Sequence, residues 1–351
     1  MNDSLRTQWR EKLLSLAALA FALELVFFKF LPDISTAIIQ KSTSNLTDFG
    51  VFEREYMVPG KLFYTRFLGN HILWYLARFL SHFVHSPDIR LHPLRLAAAI
   101  LTPVYAFAGA GLALRRASDL DWRYFMAAYA LSVVVAQYLF YPSDMPAFAA
   151  LSVALYFLLR ERLGMALVFM LLTGLFREAA FHVVAWVGLW MLVSRSKPVT
   201  ARLAWTAVFA AAFVIEYLAV RHYFPGPLTG SGRVEFDPRV IFLDQKTLSL
   251  TAICSVGLEV VFALACLNRL RNVDRAHWPR RFFMINCYGL PGWLIFYRMM
   301  GGNLSEFRML LPAVLPCIYG VAFSRVCNDS TAVRSGLRTA AAPNPLRAPT
   351  P

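Results

Sequence analysis

Apolar residues in this chain fall into ten largely uncharged stretches of about 14–20 residues, separated by polar connections. Such stretches are typical of membrane-spanning helices, because a hydrocarbon core of about 30 Å needs about 20 apolar residues. The pattern therefore predicts an all-α fold, a polytopic transmembrane helix bundle with about ten spans. The predicted spans are 13–31, 93–114, 124–141, 146–159, 164–176, 179–193, 203–220, 249–268, 282–297 and 309–324.

The remaining segments complete the predicted organisation. Residues 1–12 form a cytoplasmic N-terminus, 13–325 the transmembrane domain, and 326–351 a tail rich in Ala, Pro and Arg that we expect to be disordered. The large loop 32–92 has an aromatic-rich second half, 61–85, in which polar residues recur at helical spacing. This loop is predicted to hold one or two amphipathic helices at the membrane interface.

Composition narrows the class of protein. Of the 351 residues, 58% are hydrophobic and 16% charged, against about 45–50% and about 25% in soluble domains. This excludes a soluble enzyme and a nucleic-acid module, since the net charge of +14 is spread between the spans rather than gathered on one domain. The five cysteines lie in apolar stretches or in the tail, so a secreted disulfide scaffold is excluded as well.

Lys and Arg are concentrated in alternate connections, which predicts the orientation of the bundle. By the positive-inside rule both termini lie in the cytoplasm, and the Arg- and Ala-rich usage favours a bacterial inner membrane. One connection is ambiguous, because 164–193 is either one helix or a hairpin that turns at Arg177 and Glu178. We favour the hairpin. Its arms of about 13–15 residues would rise only about 20–22 Å, which places the turn inside the protein.

In this topology most charges outside the basic connections lie at the outer ends of spans or in outer loops. Charge at membrane depth costs a few kcal/mol and usually faces a cavity or a partner. We therefore expect a cavity that opens outward and is lined by both carboxylates and guanidiniums. The candidate residues are Asp48, Glu53, Glu55, Arg66, Asp144, Arg177, Glu178, His182, Arg298, Glu306 and Arg308.

Each candidate also has a structural interpretation. Asp144 could cap the helix that follows, since Pro146 comes two residues later. Arg177 and Glu178 could pair with each other or with a neighbour to make a buried turn. Other interpretations are a solvated face for the loop carboxylates, headgroup contacts for Arg298 and Arg308, and a structural role or a proton relay for the in-span carboxyls Glu24, Glu216 and Glu259.

Four short segments resemble recurring segments of bacterial membrane proteins similar to the GT-C glycosyltransferases. They are Tyr64-Thr-Arg66-Phe-Leu, Pro-Ser-Asp144-Met-Pro, Leu-Phe-Arg177-Glu178 and Gly302-Asn-Leu-Ser-Glu306-Phe-Arg308-Met-Leu-Leu-Pro312. The resemblance covers about 33–312. It implies a GT-C-like bundle that transfers a sugar from a polyprenyl-phosphate-type donor to a cell-envelope glycan, lipid or protein. The chain departs from the larger members in lacking a C-terminal soluble domain and a plain acidic pair in the first loop.

Glycosyl transfer needs a carboxylate base and cations that stabilise the departing phosphate. We expect Asp48 to be the base, with Glu53, Glu55 and Asp33 as alternatives. Arg177, Arg298 and Arg308 would hold the phosphate, and Arg66, in the segment Tyr64-Thr-Arg66-Phe-Leu, is a further candidate substrate-binding residue. Asp144, Glu178 and Glu306 would orient these arginines or bind sugar hydroxyls.

Three other functions remain open on the sequence. They are a transporter or flippase of lipid-linked saccharides, an O-antigen polymerase or ligase, and an inactive scaffold of the cell envelope. The sequence indicates no particular cofactor. A divalent metal is compatible with the chemistry, although no ligand spacing demands one. The expected partners are membrane lipids and the lipid-linked donor.

Overall fold

The computed structural model describes residues 11–12, 15, 46, 48–60, 64–86, 91–116, 120–136, 142–225, 250–271, 273, 277–299 and 307–323. Their main elements are eleven α-helices and one 3-10 turn, Glu178–Ala180. The helices are α1 Phe49–Tyr56, α2 Phe67–Ser81, α3 Pro93–Arg116, α4 Trp122–Ala136, α5 Asp144–Leu159, α6 Leu163–Phe176, α7 Phe181–Val193, α8 Val199–Tyr223, α9 Leu250–Leu270, α10 Trp278–Met299 and α11 Phe307–Ala322.

The protein is all-helical, as the hydropathy pattern predicts, and each of the last nine predicted spans coincides with one of the helices α3 to α11. Three helices are long and apolar enough to cross a membrane: Pro93–Arg115, Val199–Tyr223 and Ala252–Leu270. The other apolar helices among the described residues are shorter. These features suggest a multi-pass membrane protein, while the count of ten spans stays a prediction. The first predicted span, 13–31, lies outside the described residues except for Ser15, and the tail, 326–351, lies outside them entirely.

Two helices, α5 and α11, form the centre of the bundle. Every residue of α5 from Met145 to Leu158 is buried, and α5 packs on α3, α6, α7 and α11. Alanines make up much of its surface, and small side chains allow neighbouring helices to approach closely. Ser152 links α5 to both α3 and α11. Its hydroxyl donates to the Gly109 carbonyl of α3 at 2.7 Å, and its carbonyl accepts from the Tyr319 hydroxyl of α11 at 2.9 Å.

The periphery of the bundle is apolar and exposed. Helix α8 has a single buried residue, Phe209, while Ile215 and Leu218 are 67% and 61% exposed. Helix α9 likewise exposes Val261 and Leu264. An apolar surface of this extent would be unfavourable in water and is suited to contact with lipid chains.

The chain reverses direction at Arg177, where a hairpin was favoured over a single helix. Helix α6 ends at Phe176, Arg177 is extended, and α7 starts at Phe181 after the 3-10 turn. At the far end of both helices the Glu161 carboxylate accepts from the Ser194 hydroxyl at 3.0 Å and from the Trp190 indole at 3.3 Å. The start of α6 and the end of α7 therefore lie side by side, which confirms the reversal.

As a result, the polar connections collect at opposite ends of the bundle. One end, which we call the basic end, holds the Arg-rich connections before α4, α6, α8 and α10, and Lys12 donates there to the Leu114 carbonyl at 2.8 Å. The opposite end, which we call the polar end, carries the start of α5, the Arg177 turn, the end of α8 and the start of α11. The grouping matches the predicted alternation. The side of the membrane that each end faces stays a prediction.

Candidate functional site

A buried ion pair lies at the polar end, between the first residue of α5 and the Arg177 turn. Arg177 Nη1 donates to Asp144 Oδ1 at 2.8 Å, and both side chains are only 9% exposed. Arg177 Nη2 also contacts the Met309 thioether of α11 at 2.6 Å. Asp144 is therefore not the helix cap. Ser143 occupies the cap position without a side-chain hydrogen bond, and the Asp144 carboxylate is used to hold Arg177.

Glu178, the next residue, binds different partners. Its Oε1 accepts from the Thr65 hydroxyl at 3.1 Å and from Arg221 Nη2 at 3.5 Å, and its Oε2 accepts from Arg66 Nε at 3.3 Å. Thr65 and Arg66 immediately precede α2, whereas Arg221 lies in the last turn of α8. Arg177 and Glu178 thus bind distant segments rather than each other, and Glu178 joins the first loop to the end of α8.

The start of α2 is held against the start of α5 by close backbone packing. A Cβ on Gly69 would come within 2.9 Å of the Ser143 Cα and 3.0 Å of the Pro142 carbonyl oxygen. Only glycine allows this approach without displacing the backbone. The contact brings Thr65 and Arg66 to the polar end.

A histidine–tyrosine pair is buried next to the ion pair. The Tyr297 hydroxyl of α10 lies 2.5 Å from His182 Nε2, and His182 Nδ1 lies 3.0 Å from the Ala179 carbonyl. A carbonyl only accepts, so Nδ1 carries the proton and Nε2 accepts from the tyrosine. The imidazole also stacks on Trp293, with ring centroids 4.7 Å apart. These contacts connect the start of α7 to the end of α10.

A small cavity opens beside Glu178, between α6, α8 and the residues preceding α2. It has room for about one or two water-sized groups. Glu216 of α8 supplies a carboxylate to its wall, and both of its oxygens are buried without a hydrogen-bond partner among the described residues. The full lining is Thr65, Gly174, Glu178, Phe213, Glu216, Tyr217, Val220 and Arg221.

The first-loop carboxylates predicted as bases have contacts of their own. Asp48 is the N-cap of α1, and its Oδ1 accepts from the backbone amides of residues 50 and 51 at 2.6 and 3.3 Å. Glu53 accepts from the Trp74 indole and from Arg78, each at 2.8 Å. These hydrogen bonds lower the pKa of the Glu53 carboxyl below its usual range. Asp48 therefore caps α1, Glu53 links α1 to α2, and Glu55 is half-buried in α1.

Of the remaining candidates, Arg298 lies near the end of α10 and Arg308 near the start of α11. Arg298 is buried, with 8% exposure. Glu306 lies outside the described residues, and of Arg308 only the backbone, in α11, is described. No group of three His, Cys, Asp or Glu side chains in the described part of the chain could hold a metal ion.

Two residues of this site, Arg221 and Glu216, were not among the site residues predicted from the sequence. Arg221 directly follows the predicted span 203–220, yet it continues α8. Glu216 was interpreted as an in-span carboxyl with a structural role or a proton relay, and it lines the cavity. Both lie near the end of the same apolar stretch, which is the signal that could have linked them.

Comparisons with known proteins identify no family. No family model matches the sequence, and no curated protein or solved structure is significantly similar to the chain.

Proposed function

We propose that the protein is an integral membrane glycosyltransferase that moves a sugar from a polyprenyl-phosphate-type donor to a cell-envelope acceptor. The observation that carries this proposal is the convergence of Arg66, Arg177 and Arg221 with Asp144 and Glu178 at one end of the bundle. In a chain this apolar, buried charges gathered from distant segments are a functional-site hypothesis by default.

Lipid phosphate fits the cationic part of this cluster. Guanidinium groups bind phosphate oxygens through paired, charge-assisted hydrogen bonds. Arg66, directly before α2, and Arg221 of α8 approach Glu178, and their side chains are 11% and 15% exposed. They are therefore screened from solvent, so a phosphate that displaced or joined Glu178 would experience little competition from water.

The outer surface of α2 suits a substrate with a lipid tail. Its face toward the bundle buries Leu73 and Ala77, while Tyr75 and Phe79 are 63% and 58% exposed. Exposed aromatic side chains on an amphipathic helix are typical of the membrane interface. Since Arg66 directly precedes α2, a donor lying along this helix would present its phosphate to the cluster.

The reaction transfers the sugar from the lipid phosphate to the acceptor. The acceptor hydroxyl attacks the anomeric carbon, the bond from that carbon to the phosphate oxygen breaks, and the negative charge that develops on the lipid phosphate is stabilised by the guanidiniums. This assignment extends the expected role of Arg177 to Arg66 and Arg221. Arg298 and Arg308 stay predicted members of the site.

The test is to reconstitute the purified protein in lipid nanodiscs with radiolabelled polyprenyl-phosphate sugars and to follow label leaving the donor. Arg221→Gln should weaken donor binding about 10–100-fold, because a hydrogen bond to a charged group contributes about 1.5–3 kcal/mol. Arg162→Gln, an exposed arginine at the basic end, is the matched control and should bind donor normally.

Several results would refute the proposal. If the donor stays intact with every sugar tried, the protein is not a transferase for these donors. If the labelled donor crosses the bilayer unchanged, the result supports a flippase. Equal loss of donor binding in the Arg221 and Arg162 variants would show that the polar end has no special role.

A further inference from the structure

The two carboxylates that line the cavity at the polar end differ in their hydrogen bonding. Glu178 accepts hydrogen bonds from Thr65, Arg66 and Arg221. Glu216 has no partner for either oxygen among the described residues, although both oxygens are buried. When two neighbouring acids lie in such different environments, the environments assign them different roles. Glu178 is held in place, whereas Glu216 is available to a ligand.

The position of the Glu216 carboxylate depends on a glycine. A Cβ on Gly174 of α6 would overlap the Glu216 carboxylate, so any larger residue there would displace it. A carboxylate buried without a partner is unfavourable. A ligand group that donates a hydrogen bond would relieve this cost, and the space admits about one or two groups the size of water. A hydroxyl has this size and donates one hydrogen bond.

We propose that Glu216 is the catalytic base, which binds the attacking hydroxyl of the acceptor in this cavity and removes its proton. This inference rests on the proposed function and names a residue on α8 for a role that the sequence analysis gave to Asp48. The acceptor O–H bond breaks and its proton passes to the Glu216 carboxylate. The acceptor oxygen bonds to the anomeric carbon, and the electron pair of the broken sugar–phosphate bond leaves with the lipid phosphate.

The positions of the neighbouring groups fit this step. Arg221 lies five residues after Glu216 on α8 and lines the same cavity, and its guanidinium is 3.5 Å from Glu178 Oε1. The cavity wall thus carries both a carboxylate that can accept a proton and a cation that can stabilise the departing phosphate. These are the two kinds of group that the transfer step needs.

The experiment compares Glu216→Gln with the wild-type protein in the nanodisc transfer assay. Removing a general base lowers the rate about 10²–10⁴-fold. We therefore expect kcat to fall at least 100-fold while donor affinity stays within about twofold. Glu216→Asp keeps a carboxylate on a shorter side chain and should retain intermediate activity. Its rate should still depend on pH through the ionisation of this carboxylate, whereas Glu216→Gln should lose that dependence.

Glu259→Gln is the matched control. Glu259 is also a carboxyl with both oxygens buried and without a partner in the described part of the chain, and it lies on the apolar helix α9. Its variant should transfer sugar at the wild-type rate. Loss of folding, measured by thermal unfolding, should be no greater for Glu216→Gln than for this control.

The outcomes separate this inference from the proposed function. Wild-type protein that releases no label from any donor contradicts the proposed function, and the inference with it. Wild-type transfer that Glu216→Gln leaves within about threefold overturns the inference alone. So does a Glu216→Gln variant that loses donor affinity in proportion to rate, because that result assigns Glu216 to donor binding.

Discussion

The guanidinium of Arg177 donates to the Asp144 carboxylate at 2.8 Å across 33 residues of sequence, in a pair that is almost fully buried. This contact fixes the hairpin between α6 and α7 against the first turn of the central helix α5. It also places one cation at a defined position beside the Glu178 cluster. The pair therefore has a structural role that must be separated from any role in binding.

We predict that breaking this pair on one side destabilises the protein. Asp144→Asn removes the partner of a buried guanidinium and should cost about 3–5 kcal/mol of stability. Asp144→Asn combined with Arg177→Met removes both charges and should recover most of that loss. Thermal unfolding in detergent measures both effects.

Donor binding by the double variant separates the two roles of Arg177. We expect stability to return while binding of the lipid-phosphate donor does not, because the cation is gone. Recovery of both properties would restrict Arg177 to a structural role.

A second prediction concerns the glycines of α6. Gly174→Ala should displace the Glu216 carboxylate, lower the melting temperature and abolish sugar transfer, because the added Cβ has no space. Gly164→Ala lies on the same helix and meets nothing within 4 Å. It should be as stable as the wild type or more stable, since alanine favours helix by up to about 1 kcal/mol. Identical behaviour of the two variants would show that the cavity is not needed.

A third prediction concerns acid stability of the α1–α2 pair. The pKa of Glu53 is lowered in the folded protein, so its ion pair with Arg78 stabilises the fold above the ordinary carboxyl pKa of about 4.5. The contribution disappears as the pH falls through the lowered pKa. Glu53→Gln should therefore melt below the wild type at pH 7, and the difference should vanish in acid. A difference that is the same at both pH values would contradict this assignment.

The fourth prediction concerns orientation in the membrane. Val58, between α1 and α2, is exposed and is predicted to face outward. Arg195, between α7 and α8 at the basic end, is predicted to face the cytoplasm. A membrane-impermeant maleimide applied to intact cells should label Val58→Cys directly and Arg195→Cys only after permeabilisation, with the wild-type chain as background. The reverse pattern would place the polar end inside the cell.

The sequence predicted the helices because their apolar stretches have a length and composition that few other structures share. It also predicted the break at Arg177 and Glu178, because two adjacent charges within an apolar stretch are unfavourable in the middle of a helix in lipid. The GT-C-like fold and the number of spans stay predictions. Three helices have the length and hydropathy of a membrane span, and they support only the broader class of multi-pass membrane proteins.

The contacts within the site could not be predicted in the same way. Helices α5, α6 and α7 are apolar on all sides, so no amphipathic face indicates how each is rotated in the bundle. The partners of Asp144 and Glu178 depend on that rotation. Two alternatives were therefore open for Asp144, a helix cap and a site residue, and the structure shows a buried ion pair in place of the cap.

The central claim is that a lipid-phosphate substrate occupies the polar end, and photocrosslinking tests it most directly. The photoreactive p-benzoylphenylalanine is placed at Tyr217, which lines the cavity, and as a control at Tyr288, which is exposed on α10. Both proteins are irradiated with radiolabelled polyprenyl phosphate. We predict strong labelling at position 217 that excess unlabelled lipid phosphate suppresses, and weak, unsuppressed labelling at 288. Equal labelling at both positions, or labelling at 217 that unlabelled lipid phosphate does not reduce, would contradict the claim.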